Sequence, residues 1–318
     1  MTSRACLALL FPGQGSQHVG MGKALAQEFP AAEATFQQAD EVLGIPLSRL
    51  MWEGPVSELI RTENAQPAIL THSIAVLRVL GAGLGEATMA AGHSLGEYSA
   101  HVAAETITFE EAVEVVRLRG KLMSATGDLR AGAMAAVLGM EDEAIEALCI
   151  ETSVPPRSIV VPANFNSPGQ VVISGDADAV NRVVELAPGR GAKRVVTLSV
   201  SGAFHSPLMR HAQEGLEERL SSVNFRPSRF PVYCNVDAGP VADGASARKN
   251  LVRQVTRPVR WAASVRAMVG AGASRFVELG PGNVLAGLNR RNATDADSVS
   301  VGDPVRIAAY LAASSRGG

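Results

Sequence analysis

The chain has 318 residues, which is enough for one large domain or for one large domain with a smaller insert. Hydrophobic residues make up 47% and charged residues 19% of the chain, an ordinary balance for a globular protein. The formal net charge of −2 and the aromatic content of 4% argue against a surface that binds nucleic acid or an anionic membrane.

The three cysteines, Cys6, Cys149 and Cys234, are widely spaced and form no CxxC pair. This spacing predicts free thiols in a reducing compartment, and neither a disulfide framework nor a zinc site. The apolar run that ends at Phe11 is too short for a signal peptide and leads directly into a glycine-rich turn. Because no uninterrupted apolar run reaches about 18 residues, we expect no membrane span and a cytoplasmic location.

The first part of the chain alternates predicted strands and helices. The predicted elements are a strand at Leu7–Phe11, helical stretches at Gly22–Phe29 and Ala68–Leu80, a strand at Ala87–Ala91 and a helix at Glu97–Ala104. Such alternation is typical of a parallel sheet covered by helices. A further core strand is predicted at Phe276–Leu279, just before the turn Gly280-Pro281-Gly282.

The middle of the chain follows a different order of elements, β-α-β-β-α-β. The predicted strands are Ala133–Leu138, Ile159–Ala163, Gln170–Ser174 and Arg194–Val200, and the predicted helices are Asp142–Cys149 and Ala177–Leu186. This order is the ferredoxin-like pattern. We therefore predict a small inserted domain over residues 132–198, with residues 1–131 and 199–318 forming the large catalytic domain.

The segment Gly92-His93-Ser94-Leu95-Gly96 matches the pattern G-x-S-x-G, in which a serine stands on a sharp strand-to-helix turn. Glycines flank the serine because larger side chains would clash in so strained a turn. The N-terminus of the following helix would place backbone N–H groups beside Ser94, where they could stabilise an oxyanion. The pattern predicts Ser94 as a nucleophile, and an ordinary tight turn between strand and helix stays open as the alternative.

A serine nucleophile needs a general base, and His205 is the histidine best placed to serve. It follows a predicted strand and precedes a helix that we expect to begin with Ser206 as N-cap and Pro207 as first residue. The competing histidines are His18, His72, His93, His101 and His211. Since no acidic residue follows closely, we expect a Ser–His dyad whose imidazole is oriented by a backbone carbonyl. A purely structural role for His205 stays open.

The glycine-rich segment Pro12–Gln17 follows the first strand and allows two interpretations. A dinucleotide fingerprint would need a third glycine where His18 stands, at the position that permits close packing of the helix. A glycine-rich turn can equally offer a backbone N–H to an oxyanion. The N–H groups of Gln14 and Leu95 would then form an oxyanion hole with two donors.

The predicted helix Glu110–Met123 carries Arg119 in the middle of its apolar face. The opposite face explains Arg117 and Lys121 as solvated cations. A guanidinium among apolar neighbours needs an anion, and a carboxylate bound through two hydrogen bonds is its best match. Pairing with an internal acid, or a side chain that extends to solvent, stays open as the alternative.

These motifs resemble the malonyl-CoA:acyl carrier protein transacylase family of fatty-acid and polyketide synthesis. The stretches that carry the resemblance are Phe11–Gln17, Thr62–Ala68, Gly92–Glu97, Arg117–Lys121, Asn164–Gln170, Gly202–Pro207, Leu251–Gln254 and Glu278–Gly282. The resemblance implies an α/β fold, with an α/β-hydrolase-like large domain built on a parallel sheet and an inserted ferredoxin-like small domain.

The resemblance also implies a ping-pong reaction, in which malonyl-CoA acylates Ser94 and the phosphopantetheine thiol of acyl carrier protein accepts the malonyl group. It makes His205 the base and assigns Arg119 to the malonyl carboxylate. It places the oxyanion hole at the N–H groups of Gln14 and Leu95. The further residues expected to contact substrate are Met123, Asn166, Phe204 and Gln254. Phe204 is expected to crowd the extra methyl group of a methylmalonyl substrate. We expect no cofactor or metal, no nucleic-acid or membrane partner, and a monomer.

Three other functions stay open from the sequence. The chain could serve as a free-standing acyltransferase for a polyketide assembly line, with the same chemistry and a different carrier protein. It could be an editing acyl hydrolase that clears stalled carriers, in which case free acid would form without an acceptor. It could also be a non-catalytic module that binds carrier protein, which the presence of both Ser94 and His205 disfavours.

Overall fold

The computed structural model describes residues 6–200 and 202–314, and within these ranges the chain forms two β-sheets flanked by helices. The strands are β1 (Cys6–Phe11), β2 (Ala87–Gly92), β3 (Gly132–Leu138), β4 (Val160–Ser167), β5 (Gln170–Asp176), β6 (Arg194–Thr197), β7 (Val232–Tyr233), β8 (Pro240–Val241), β9 (Ala273–Leu279) and β10 (Asp297–Val301). The helices are α1 (Lys23–Glu28), α2 (Pro30–Leu43), α3 (Leu47–Glu53), α4 (Val56–Leu59), α5 (Thr62–Leu80), α6 (Gly96–Ala103), α7 (Phe109–Leu129), α8 (Asp142–Thr152), α9 (Ala177–Leu186), α10 (Arg210–Ser221), α11 (Gly244–Gln254), α12 (Trp261–Gly270), α13 (Val284–Asn292) and α14 (Pro304–Ser314).

The larger sheet has six strands in the order β10-β9-β1-β2-β7-β8, and all neighbours are parallel except β7 and β8. Alternate residues of the central strand β1 face opposite sides, so Leu9 packs in the core beneath α2, α5 and α7 while Leu10 packs against α12 and α13. Helices on both faces explain why β1 is apolar throughout. The parallel strands β1 and β2 end side by side, where a parallel α/β sheet places its ligands.

The smaller sheet has four antiparallel strands in the order β4-β5-β3-β6. With α8 and α9 following β3 and β5, this is the ferredoxin-like arrangement that the sequence predicts. Strand β6 ends at Thr197, earlier than predicted; the Leu198 N–H still donates to the Met134 carbonyl of β3 at 2.9 Å, and the residues up to Val200 then line the cleft described below. The predicted fold class is therefore confirmed, while the division into two domains at residues 132 and 198 stays a prediction.

Helix α5 begins at Thr62, six positions before the predicted start at Ala68, so it also contains Gln66. The segment Thr62–Leu84 is long and apolar enough to cross a bilayer by length and composition. In the fold, however, 67% of its most apolar window is buried inside the protein, as in the central helix of a globular core. Its apolar character is thus explained by packing against α2 and α7.

Two buried histidines predict a specific loss of stability in acid. Burial lowers the pKa of His72 to about 3 and that of His101 to about 4, from an ordinary value of 6.5. The unfolded chain therefore binds more protons than the folded one between pH 6.5 and 4, so the free energy of unfolding should fall as the pH drops through that window. Each residue contributes a slope of at most about 1.4 kcal/mol per pH unit.

Urea unfolding at several pH values would measure this effect in the wild type and in His101→Leu, which removes one buried imidazole. We expect the variant to lose less stability between pH 6.5 and 4 than the wild type does. His211→Leu is the control, because His211 lies on the surface beside Glu214. Equal slopes in the wild type and His101→Leu would contradict the prediction.

Candidate active site

Ser94 stands on the turn between β2 and α6, at a backbone φ of 52°, in the left-handed region that non-glycine residues seldom adopt. The flanking glycines permit this turn by close backbone packing. A Cβ on Gly92 would lie 1.9 Å from the carbonyl group of Gly96, and a Cβ on Gly96 would lie 2.2 Å from the carbonyl oxygen of Phe11. The G-x-S-x-G pattern is therefore a steric requirement of this turn in this chain.

Asn235, on the loop after β7, holds the same turn through its side chain. The Ser94 N–H donates a hydrogen bond to Asn235 Oδ1 at 2.7 Å, and Asn235 Nδ2 donates to the Gly92 carbonyl at 2.7 Å. Because the Ser94 N–H is already bonded, it is not free to stabilise an oxyanion. Asn235 instead stabilises the strained backbone that presents the serine.

The structure brings His205 to Ser94, with the imidazole Nε2 at 2.7 Å from the serine Oγ. The other ring nitrogen, Nδ1, donates to the carbonyl oxygen of Gln254 at 2.8 Å, which leaves Nε2 as the acceptor for the serine hydroxyl. The expected orientation of the imidazole by a backbone carbonyl is thus found. Burial, reinforced by the charge of Arg119, lowers the pKa of His205 to about 3. The imidazole is consequently neutral at physiological pH, as a general base must be.

The predicted helix start after His205 is also present. The Ser206 side chain caps a short 3₁₀ turn, Pro207–Met209, by accepting from the Leu208 N–H, and α10 continues from there. Of the competing histidines, only His93 joins His205 among the residues that line the cleft around Ser94. His93 Nε2 lies 2.8 Å from Asn166 Oδ1, on the small sheet.

Arg119 is 1% exposed and lies directly beside the nucleophile. Its Nη2 donates to Ser94 Oγ at 3.0 Å and to Gln254 Oε1 at 3.0 Å, and its Nη1 donates to Gln66 Oε1 at 2.8 Å. Its Nε has no hydrogen-bond partner among the residues that the structure describes. Within residues 6–200 and 202–314, no carboxylate lies within ion-pair distance of this guanidinium. Arg119 therefore does not reach solvent, and no acid in the described part of the chain bonds it directly, although Glu97, described below, acts on it through its charge.

Close packing of two helices positions this arginine. Gly120, the next residue of α7, allows α7 to approach the start of α5, since a Cβ there would lie 2.6 Å from the Thr62 carbonyl oxygen. That approach brings Arg119 to Gln66, which the sequence analysis did not identify. Lys121, on the same helix, is exposed as predicted, while Arg117 is half-buried and donates to Asn64 Oδ1 at 3.3 Å.

A cleft of about 410 Å³ opens above Ser94 between the two sheets. Its lining residues are Gln14, Gly15, Gln17, Ile60, Gln66, His93, Ser94, Leu95, Arg119, Met123, Met134, Asn164, Leu198, Ser199, Val200, Phe204 and His205. In the described part of the chain, the backbone N–H groups of Gln14 and Leu95 donate to no protein acceptor. Two free donors beside a serine are the elements of an oxyanion hole.

Two predicted substrate contacts are placed differently from expectation. Asn166 does not line the cleft and instead bonds His93, while Asn164, two residues earlier on β4, takes the lining position. Gln254 lies near His205 as expected, but its side chain is fully buried and bonds Arg119, so it is not a lining residue. Successive polar residues at a bulged strand cannot be told apart from sequence, because the bulges in β4 change which side chains face the cleft.

A buried carboxylate that the sequence analysis did not assign lies beneath these groups. Glu97 is fully buried in the first turn of α6, and its Oε2 accepts from Gln254 Nε2 at 2.7 Å and from the Asn235 N–H at 3.0 Å. Burial raises the pKa of Glu97 to about 7, against the effect of these donors and of Arg119. The only signal in the sequence is its place in the stretch Gly92–Glu97. Among the described residues, no cluster of three or more potential metal ligands is present.

The parallel sheet, the strained serine and its neutral histidine place the chain in the class of α/β enzymes that use a serine hydroxyl for chemistry on acyl groups. Residues 8–306 match the family model described as the acyl transferase domain. A relative from Bacillus subtilis, named malonyl CoA-acyl carrier protein transacylase, is 44% identical over 95% of this chain and 95% of its own length. The chain therefore belongs to the acyl transferase domain family and is an acyltransferase.

Solved structures agree with this assignment. The crystal structure of an acyl carrier protein S-malonyltransferase from Vibrio cholerae has a TM-score of 0.92 and 43% identity, and covers 95% of this chain and 99% of that one. A malonyl-transacylase in complex with its type II PKS acyl-carrier protein has a TM-score of 0.92 and 41% identity, covering 97% of this chain and 100% of that one. The similarity thus extends over both sheets and the cleft between them.

Proposed function

We propose that this enzyme transfers a malonyl group from malonyl-CoA to the phosphopantetheine thiol of acyl carrier protein through an acyl-enzyme on Ser94. The observation that carries the proposal is the buried Arg119, which bonds Ser94 Oγ and has no acidic partner within the described residues. A buried guanidinium without an anion is costly, and a substrate carboxylate would supply that anion at the reacting serine. The names of the similar proteins support the same substrate and acceptor.

In the first half-reaction, Ser94 Oγ attacks the thioester carbonyl of malonyl-CoA while His205 Nε2 takes its proton. The Gln14 and Leu95 N–H groups stabilise the resulting tetrahedral oxyanion. The carbon–sulfur bond then breaks, the CoA thiolate takes the proton from His205, and the malonyl ester remains on Ser94. In the second half-reaction, the carrier thiol gives its proton to His205 and its sulfur attacks the ester carbonyl. The bond from the carbonyl carbon to Ser94 Oγ then breaks, His205 returns the proton to Ser94 Oγ, and the malonyl thioester leaves on the carrier.

The proposed pathway is fatty-acid synthesis, in the cytoplasm, with the chain acting as a monomer without a cofactor. A polyketide carrier is the second candidate, because the structurally similar malonyl-transacylase described above was solved with a type II PKS acyl-carrier protein. Transfer is favoured over hydrolysis because a carboxylate held by Arg119 would fill the floor of the cleft beside Ser94.

Intact-protein mass spectrometry tests the proposal. The enzyme is mixed briefly with malonyl-CoA, methylmalonyl-CoA and acetyl-CoA in competition, and holo acyl carrier protein is then added. We expect a malonyl adduct that moves to the carrier. No adduct, or one that decays to free acid before reaching the carrier, would contradict a transferase and favour the binding module or the hydrolase. Parallel reactions with fatty-acid and polyketide carriers would separate the two pathways.

Phe204 is proposed to disfavour methylmalonyl by occupying the space that its methyl group needs. The side chain lines the cleft, is 6% exposed and immediately precedes His205. Phe204→Ala should raise the methylmalonyl-to-malonyl ratio of kcat/KM by roughly 10- to 200-fold, the range that one methyl group commands in an apolar pocket. Phe225→Ala, which truncates a phenylalanine outside the cleft, should leave the ratio unchanged. If Phe204→Ala leaves the methylmalonyl-to-malonyl ratio unchanged, Phe204 only packs in the cleft and does not select the substrate.

A further inference from the structure

Gln254 connects the three groups that the proposed reaction uses. Its backbone carbonyl accepts from His205 Nδ1, its Oε1 accepts from Arg119 Nη2, and its Nε2 donates to the Ser94 carbonyl at 3.0 Å. The residue is fully buried at the end of α11. The position of one glutamine therefore affects the base, the carboxylate-binding arginine and the nucleophile turn together.

A glutamine amide has a donor end and an acceptor end of nearly the same shape, so its orientation must be fixed by its neighbours. In Gln254, the oxygen faces the cation of Arg119 and the nitrogen faces the carboxylate of Glu97 at 2.7 Å. A flipped amide would direct N–H groups at the guanidinium and its oxygen at the carboxylate. Both contacts would be less favourable than the observed ones, so Arg119 and Glu97 together fix the orientation in which Gln254 holds Arg119.

The same carboxylate oxygen of Glu97 is also connected to the turn at Ser94 through Asn235. Glu97 Oε2 accepts from the backbone N–H of Asn235 at 3.0 Å, and the Asn235 side chain in turn bonds the Ser94 N–H and the Gly92 carbonyl. Glu97 thus connects α6, the loop that carries Asn235 and the end of α11. These segments lie far apart in the sequence, and no other described carboxylate accepts from both Asn235 and Gln254.

We propose that Glu97 is a positioning residue that orients Gln254 and Asn235, and through them aligns Arg119, His205 and Ser94. It contacts neither the cleft nor any reacting atom. One part of this proposal rests on the proposed function: if Arg119 binds the malonyl carboxylate, its alignment should be measurable as a preference for malonyl over acetyl groups.

Two substitutions of Glu97 with side chains of similar length distinguish its role as hydrogen-bond acceptor from a general effect on the stability of the protein. Glu97→Met removes the acceptor, so the Gln254 amide and the Asn235 N–H each lose the contact that Glu97 supplies. Glu97→Gln restores an amide oxygen that can accept from both donors. Glu278→Met is the matched control, because Glu278 is also a fully buried carboxylate but accepts from the backbone N–H groups of Leu285 and Ala286 at the start of α13.

Competition between malonyl-CoA and acetyl-CoA is measured for each variant, together with the rate at which phenylmethylsulfonyl fluoride labels Ser94. The label depends on the serine and histidine and not on the identity of the acyl group. We expect Glu97→Met to lower kcat/KM for malonyl by roughly 10- to 100-fold, to lower the malonyl-to-acetyl ratio and to slow labelling. We expect Glu97→Gln to stay within about threefold of the wild type, as a variant that keeps the hydrogen bonds should.

Glu278→Met should lower the unfolding temperature without changing the selectivity ratio or the labelling rate of the folded protein. A wild-type ratio and labelling rate in folded Glu97→Met would overturn the inference. So would equal damage in Glu97→Gln and Glu97→Met, because an acceptor would then not suffice. If the wild type forms no malonyl adduct, the proposed function fails, and the labelling rates alone decide whether Glu97 positions the serine and histidine.

Discussion

Replacing Ser94 with alanine is expected to abolish the covalent malonyl adduct and to lower the rate of transfer by on the order of 10⁶-fold, the loss that follows removal of a serine nucleophile. The reason is chemical, because the substitution deletes the oxygen that lies 2.7 Å from His205 Nε2. The turn itself should persist. Alanine tolerates a φ of 52° about as poorly as serine does, and Asn235 still accepts from the backbone N–H of residue 94.

Intact-mass measurement after mixing with malonyl-CoA checks this result, and thermal unfolding confirms that the variant is folded. Ser222→Ala serves as the control, since Ser222 is an exposed serine at the end of α10 and bonds only its own helix. A malonyl adduct that persisted on Ser94→Ala would show that another side chain carries the acyl group. Adduct formation in Ser222→Ala at the wild-type rate would show that loss of a serine hydroxyl is not harmful in general.

The turn residues of the fold were predictable because their signals are local. The glycines around Ser94 are required because an added Cβ would lie 1.9 or 2.2 Å from neighbouring backbone atoms, so the motif follows from the geometry of the turn. The same holds for Ser206 and Pro207, whose side chains specify a helix start by short-range hydrogen bonding and fixed φ. The small sheet was also predictable, because its order of elements follows directly from alternating periodicities.

The residues that hold the site together were not predictable, because their signals are not local. Asn235 lies on a loop for which no element was predicted, and its role depends on the loop passing beneath the turn at Ser94. Glu97 looks like an ordinary acidic residue in the first turn of a helix, where it would be favourable even if exposed. Gln66 was missed because α5 begins earlier than its apolar periodicity indicates. Only the assembled fold brings these side chains together.

Arg119 shows where sequence reasoning stops. Its position on an apolar helix face indicates burial, but periodicity does not show whether an internal acid pairs with it. The fold answers that question for the described residues, since the partners of its guanidinium are Gln66, Gln254 and Ser94, all of them neutral. These neutral acceptors orient the guanidinium, and Glu97 acts on it only from beyond Gln254, so a substrate carboxylate can still form the direct ion pair.

Replacing Arg119 with alanine is therefore expected to lower kcat/KM for malonyl transfer by roughly 30- to 5,000-fold, equivalent to the 2–5 kcal/mol that an unpaired buried charge costs. In the variant, a malonyl carboxylate would enter the cleft without a cation to bind it. The loss of the guanidinium would also leave the side-chain oxygens of Gln66 and Gln254 without the donor they have in the wild type. An acetyl group has no carboxylate to lose, so its transfer should rise relative to malonyl. Competition between malonyl-CoA and acetyl-CoA measures the change as a ratio, independent of the amount of folded enzyme.

Two further variants distinguish geometry from charge. Lys121→Ala removes an exposed cation from the same helix and should leave the ratio at its wild-type value. Arg119→Lys keeps the charge but lacks the planar fork that bonds Gln66, Gln254 and Ser94 together, so it should recover only part of the malonyl activity. If Arg119→Ala kept the wild-type preference for malonyl, the carboxylate would have to be bound elsewhere in the cleft. Full recovery in Arg119→Lys would mean that charge alone selects the substrate and that the hydrogen-bonded alignment of the guanidinium is dispensable.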